Sequence, residues 1–475
     1  MRNKRYHLLI ASAVVLNIVM SSCGLVNQLI SPTNASTPSQ LPSTQIPIAA
    51  GSITPTATIT GDYSNSSGGQ VEVFSWWTAP GSSDGLSALA KVFEQMYSNT
   101  SFVNAAAAVG AGTDPKTVLA DRLATGNPPD SWQSSAGQET IANYAAAGQI
   151  QPLDDFFQST GLNLVLPPAL LPLISEGGHP YSVPVDIQRS NVLWYNPKVL
   201  QTAGVTVDPQ TGLSDWSTFF TACNQIKAAG KTCLALGPDW TSMLLFENVM
   251  VGDLGPDQWA GLWVSPPTTD WNGPAVKTAI ADFTKALSYT NSNASTLPDW
   301  QSAVKMVADG EAAFTIMGDW AYAYFTDPTP DGAGLQPHTD FDWAVSPANY
   351  GIFDFLSDSF VMPAKPRNPA NSTAWLAAAA SKAGQEAFNP LNGSICARTD
   401  CDPSLFNEYS QAAAKDWATS RIVGSLTFGA AASPSWQNSI QSTLDQFLGS
   451  AKDLNAQAGF QRALAAACSS NGSCK

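Results

Sequence analysis

Charge is scarce in this chain: Asp, Glu, Lys and Arg make up only 12% of 475 residues, and histidine occurs three times. What charge there is leans one way, with 37 acidic residues against 22 basic ones and a net charge of −15. A surface this acidic, with no run of Lys or Arg, argues against nucleic acid or an anionic membrane surface as a partner. Past the first turns of sequence only His179 and His338 remain, and neither has a ligand or catalytic partner suggested by spacing. No metal is therefore expected. HExxH pairs, phosphate-cradling GxxxxGK loops and GxGxxG fingerprints are missing too, so no cofactor and no enzyme class is indicated. Carboxylates are numerous enough that counting does not exclude a glycosidase pair. Apart from one segment near the N-terminus, no apolar run is long enough to span a membrane.

That segment is informative. Arg2, Lys4 and Arg5 form a basic head before the apolar run Leu8 to Met20, which is short for a bilayer span and suits a secretory signal. Met20-Ser21-Ser22-Cys23-Gly24 then looks like a lipoprotein cleavage box, with Cys23 as the lipidated residue. Ordinary secretion is the alternative. The other six cysteines fall into three local pairs, Cys223/Cys233, Cys396/Cys401 and Cys468/Cys474. An oxidising exterior favours reading them as disulfides over zinc, since no histidine lies near them.

Residues 24–69 are Ser-, Thr- and Pro-rich and read as a flexible linker after the signal peptide 1–23. Ordered patterning starts at Val71-Glu72-Val73-Phe74-Ser75-Trp76, which alternates like a strand. Helical spacing follows at Leu86, Leu89, Phe93 and Met96. Helices are also expected over 117–124, 139–147, 215–229, 276–287 and 375–388, with 181–195 largely extended and 233–237 strand-like. Strand–helix alternation of this kind predicts α/β lobes with mainly parallel sheets.

Several segments together resemble a known group. They include Trp76-Trp77-Thr78, Ala124-Thr125-Gly126-Asn127-Pro128-Pro129-Asp130-Ser131, Ala136-Gly137-Gln138-Glu139 and Arg189 to Asn196. Leu245-Phe246-Glu247, Met317-Gly318-Asp319-Trp320, Ser357-Asp358-Ser359-Phe360 and Phe388 to Ile395 follow in the same order. From about Val71 to about residue 440 the chain is similar to the extracellular sugar-binding proteins of ABC importers, in the glucose-binding-like branch of the family 1 solute-binding proteins. The resemblance implies a type II, two-lobe periplasmic-binding-protein-like α/β fold closing on a sugar. It implies a first lobe of 70–185 plus 355–400 and a second of 186–354 plus 401–475, with crossings near 183–189, 343–355 and 400. It further implies a lipid-anchored monomer that hands its ligand to membrane permease subunits and catalyses nothing.

Trp and Tyr suit such a site because pyranose C–H faces stack on rings, while carboxylates and amides satisfy the hydroxyl belt. The resemblance places Trp76 and Trp77 at the cleft, Asp84 or Ser83 near an acidic ligand position, and Gln133, Gln138 and Glu139 in matching segments. For Glu139 a helix N-terminal role is the alternative. Trp240 is either the opposing wall or core. Asp319 is the foremost polar candidate, with Trp320 beside it, and Asp358 serves either hinge or ligand. Relatives carry His where Ser135, Gln188 and Phe428 stand, and Lys where Asn392 stands. Those neutral replacements suggest a ligand other than simple glucose, such as a disaccharide or a modified sugar. A surface glycoside hydrolase and a non-transport glycan-binding lipoprotein are the competing readings.

Overall fold

The structure, a computed structural model, describes residues 66–78, 82–108, 115–238 and 240–470. The signal segment with Cys23, nearly all of the linker, and Cys474 lie outside the described residues.

Three sheets organise the body. The first runs in the order Thr100–Asn104, Gly69–Phe74, Ser131–Ser135, Asp358–Val361 and Ser182–Pro184. Its opening strand forms as its alternation dictates: Val71 and Val73 are fully buried, while Gln70 is exposed and Glu72 half-buried. Glu72 holds the outer face by receiving both terminal nitrogens of Arg122, at 2.8 and 2.7 Å. The second sheet runs Asp342–Val345, Val192–Tyr195, Ala312–Met317 and Thr232–Ala235. A third, between them in sequence, runs Ile395–Cys396, Asp186–Arg189, Ile352–Leu356 and Arg421–Gly424.

The extended stretch 181–195 explains this arrangement. It contributes Ser182–Pro184 to the first sheet, Asp186–Arg189 to the third and Val192–Tyr195 to the second. Every residue of these three strands is buried. Buried backbone must be paired, and at the two breaks it is: Val185 N donates to Asp358 O at 2.9 Å, and Ser190 N to Asp354 O at 2.9 Å. The third sheet is thus the multi-strand hinge of a two-lobe α/β fold.

Two expectations need correction. The sheets are mixed and not mainly parallel, because the strands that return through the hinge pair antiparallel with their neighbours (358–361 with 131–135, 352–356 with 186–189). The Ala-rich stretch 375–388 is not one helix. Pro369–Ala380 and Lys382–Asn392 meet at Ser381, whose extended backbone breaks the run and whose hydroxyl accepts from Gly384 N at 2.9 Å. A Cβ at Gly384 would lie 2.1 Å from Ala378 O, so only glycine fits that junction. The expected helix 139–147 is a shorter, wide helical turn over Glu139–Ala145, in which Ala146 N reaches Ile141 O.

Other elements follow their local signals. Trp216–Ala228 starts on Asp215, whose carboxylate accepts from Thr218 N at 2.7 Å. Cys223–Cys233 ties that helix to the next strand, and Cys396–Cys401 closes the turn after the hinge-edge strand. Cys468 is disulfide-bonded as well. Among the described residues no helix is long and apolar enough to cross a membrane.

Candidate functional site

Polar side chains that sequence pattern leaves unexplained gather where the first sheet meets the hinge. Gln133 is fully buried on the strand Ser131–Ser135, so its amide must find partners inside. It accepts from Ser75 Oγ at 2.7 Å and donates to Asp358 Oδ1 at 2.7 Å. Gln188 donates to the other Asp358 oxygen at 2.9 Å and to Asp186 Oδ2 at 2.7 Å. Asp358 N donates to Asp186 Oδ1 at 2.6 Å, closing the network. Burial pushes Asp358 up to about 6, partly opposed by the Gln133 bond and reinforced by nearby Glu139. Burial and the Asp358 charge push Asp186 well above the carboxylate range.

Glu139 extends this polar wall outward. It receives Lys116 Nζ at 2.9 Å, and its own N–H donates to Gly429 O at 3.0 Å. Lys116 also stands 4.6 Å from the ring centre of Trp76, which is half-buried. The two adjacent tryptophans therefore differ in role. Trp77 is 6% exposed and packs on Phe388 and Phe360, inside the core, whereas Trp76 keeps an open edge.

An aromatic wall meets this one through the loop after the strand Arg421–Gly424. Phe428 adjoins Gly429, the residue touching Glu139, and its ring lies 5.2 Å from Trp320 and 5.7 Å from Trp240. Trp300 packs edge-on to Trp320 at 6.4 Å. All four rings are half-buried, unlike the core tryptophans. Trp320 folds back over Gly318, where a Cβ would sit 2.2 Å from the ring.

Asp319 is placed differently from its neighbours. It is fully buried, its Oδ2 accepts from Arg189 N at 2.8 Å, and its Oδ1 accepts from Tyr409 OH. Burial lifts it to about 7 against the pull of those two bonds. Asp319 thus fastens the start of helix Trp320–Thr326 to the hinge strand. Asn392 is 1% exposed and donates to Ser394 Oγ at 3.0 Å, inside the helix end. Asp84 is exposed in the first turn of Ser82–Met96, and half-buried Gln138 makes no side-chain cap. Geometry thus brings together Trp76, Gln133, Glu139 and Asp358 on one side and Trp240, Trp320 and Phe428 on the other. Trp77 and Asn392 are almost fully buried, and Asp84 is exposed.

Sequence reasoning missed Lys116, Asp186, Trp300 and Tyr409. Trp300 follows the capping Asp299 and reads as an ordinary amphipathic helix start. Tyr409 carried no local signal, because its partner lies 90 residues away. Among the described residues no His/Cys/Asp/Glu group could hold a metal ion.

Comparisons with known proteins show the family and the fold. Residues 88–419 match the family model of bacterial extracellular solute-binding proteins. The chain is 30% identical over 390 residues to an uncharacterized ABC transporter extracellular-binding protein of Pyrococcus horikoshii, covering 81% of this chain and 85% of that one. A probable sugar-binding periplasmic protein of Rhizobium meliloti is 31% identical over 364 residues, 76% of this chain and 84% of its own. Among solved structures, the bacterial solute receptor AcbH, described with an exclusive preference for β-D-galactopyranose, superposes with a TM-score of 0.71 at 17% identity, over 85% of this chain and 99% of that one.

Proposed function

The chain belongs to the bacterial extracellular solute-binding proteins, and from that membership we propose that it is the substrate-binding subunit of an ABC-type carbohydrate importer. It captures a mono- or oligosaccharide between the lobes and delivers it to the permease. The observation that carries this reading is the pairing of two unlike walls. Trp240, Trp300, Trp320 and Phe428 offer half-buried ring faces, while Glu139, its ion-pair partner Lys116 and Trp76 adjoin the Phe428 loop through Gly429, backed by the buried Gln133–Asp358 network. A pyranose has that same division between C–H face and hydroxyl edge. The names of the sugar-binding relatives support it.

Finer features belong to the same proposal. The first lobe takes 70–185 with 355–400 and the second takes 186–354 with 401–475. A lipid on Cys23 holds a monomeric receptor at the outer face of the membrane, with the Ser/Thr/Pro-rich linker giving it reach to the permease. A thermal-shift screen of the mature body against mono- and oligosaccharides tests the function. A ligand that binds only the native state raises the midpoint with concentration. No shift with any sugar at millimolar concentration would overturn it.

A further inference from the structure

Helix Glu408–Thr419 packs on the hinge sheet, and its first turn is tied to the aromatic wall. Near its end, the Trp417 ring lies 5.2 Å from Phe353 and 5.3 Å from Phe355 of the hinge strand Ile352–Leu356. Asp416 receives Arg189 Nη1 from the neighbouring hinge strand at 2.5 Å. At its start, Tyr409 donates to Asp319, the residue before Trp320, and Ser410 Oγ donates to Gly393 O at 3.2 Å. Tyr409 is buried, with Trp194 at 4.9 Å and Trp343 at 5.4 Å from its ring. A shift of this first turn therefore shifts the seat of Trp320.

Glu408, next to Tyr409, is met from outside the helix by His338. The imidazole Nδ1 lies 3.1 Å from Asp342 Oδ1, and Nε2 lies 3.3 Å from Glu408 Oε2. The ring also leans on Trp343, with centroids 4.9 Å apart. The turn that presents His338 is closely specified. Its φ of +59° is one that L side chains rarely adopt, and its N–H donates to Phe341 O at 2.8 Å. Strain kept at one exposed residue points to a role for its side chain. A neutral imidazole offers one donor and one acceptor, whereas the imidazolium offers two donors. With a carboxyl oxygen at each nitrogen, only the protonated ring satisfies both partners. Other charges nearby are engaged: Lys198 pairs with Asp340 at 2.6 Å. The phenols of Tyr195, beside Asp342, and Tyr322, beside Glu408, are held protonated by burial first and by those charges second.

We propose that His338 is a proton-operated latch: its imidazolium clamps Glu408 to Asp342, and through Tyr409 and Asp319 this steadies Trp320 for the ligand. His338 is a positioning residue that acts through the helix start. The part that concerns ligand rests on the sugar-cleft reading; the latch does not. Burial acts to lower the His338 value, but the bonds to Asp342 and Glu408 outweigh it and hold the ring above its ordinary 6.5. The latch is therefore closed below that value and released as pH rises through the raised value of the folded chain. Sugar capture strengthens toward acid.

The test uses the mature protein carrying His179→Asn, which leaves His338 as its one histidine. Proton NMR of the imidazole reads the latch directly. His338 should titrate above pH 6.5, and Glu408→Gln should lower its midpoint. Calorimetry with D-galactose, D-glucose and D-xylose then reads the wall. His338→Gln should bind about threefold more weakly than its parent at about pH 5 and equally well at about pH 8. Titration of Asp319 is common to both proteins and cancels in that comparison. In a Tyr409→Phe background His338→Gln should change nothing, because the path to Trp320 is cut. A His338 midpoint at or below 6.5, a midpoint indifferent to Glu408→Gln, or an equal penalty at both pH values overturns the proposal. So does a penalty that persists beside Tyr409→Phe. If Tyr409→Phe does not fold, the pH dependence of His338→Gln decides. If none of the sugars binds, the sugar reading fails, while the imidazole midpoint still judges the latch.

Discussion

Asp319 and Asp358 show what a buried acid contributes at the scale of one residue. Both are held above the ordinary carboxylate range of about 4, Asp358 to about 6 and Asp319 to about 7, mainly by burial. Between about pH 4 and those values the native state holds protons that the unfolded chain has released. Stability therefore falls as pH rises through that window and levels off above it. Urea unfolding between pH 4 and 8 should show this decline, of order 3–4 kcal/mol per group, and Asp319→Asn should flatten its upper part. Tyr409→Phe should cost about 1–3 kcal/mol, because it strips a donor from a buried carboxylate oxygen. It should also extend the decline to higher pH, since that bond favours the ionised form. The aromatic residues proposed to stack on sugar act on a different readout. Trp240→Ala should weaken sugar binding by about 1–2 kcal/mol in calorimetry and leave the pH profile unchanged.

Elements divide by how local their causes are. The helix Trp216–Ala228, the strand Thr232–Ala235 and the disulfide joining them were legible because cap, period and cysteine spacing all lie within a short window. Replacing Cys223 and Cys233 with alanine should cost about 2–3 kcal/mol for a loop of that size in thermal unfolding and leave ligand affinity intact, as the pair lies away from both walls. The break at Ser381 was not legible, because the Ala-rich pattern continues through it and only the close approach of Gly384 to Ala378 enforces it. The candidate site shows the same division. Trp76, Glu139 and Asp358 stood in recognisable segments. Asp186 and Tyr409 find partners 172 and 90 residues away, and no periodicity encodes such a distance. Asp319 stood out for its motif, yet that motif identified a fastening of the second sheet to the hinge more clearly than an open contact.

At the scale of the whole molecule, the question is what sets the separation of the two walls. At Gly137 the backbones of the two sides meet with no side chain to spare: a Cβ there would lie 2.7 Å from Ala430 Cα and 2.8 Å from Ala430 O. Gly137 also has φ +115°, a conformation that L side chains rarely adopt. The turn Gly137–Glu139 and the loop Thr427–Ala430 thus rest on each other through backbone alone, beside the Glu139 N to Gly429 O bond. Gly137→Ala should push the loop away, carrying Phe428 off its seat between Trp240 and Trp320. The lobes fold on separate sheets, so the damage should fall on closure more than on the cores. The expected outcome is a thermal midpoint lowered by a few degrees, a sugar affinity reduced about tenfold or more, and a loss of the ligand-induced fall in radius of gyration that small-angle scattering should record for the wild type. An alanine variant that still compacts on adding sugar, with unchanged affinity, would show that the cleft closes without this backbone contact.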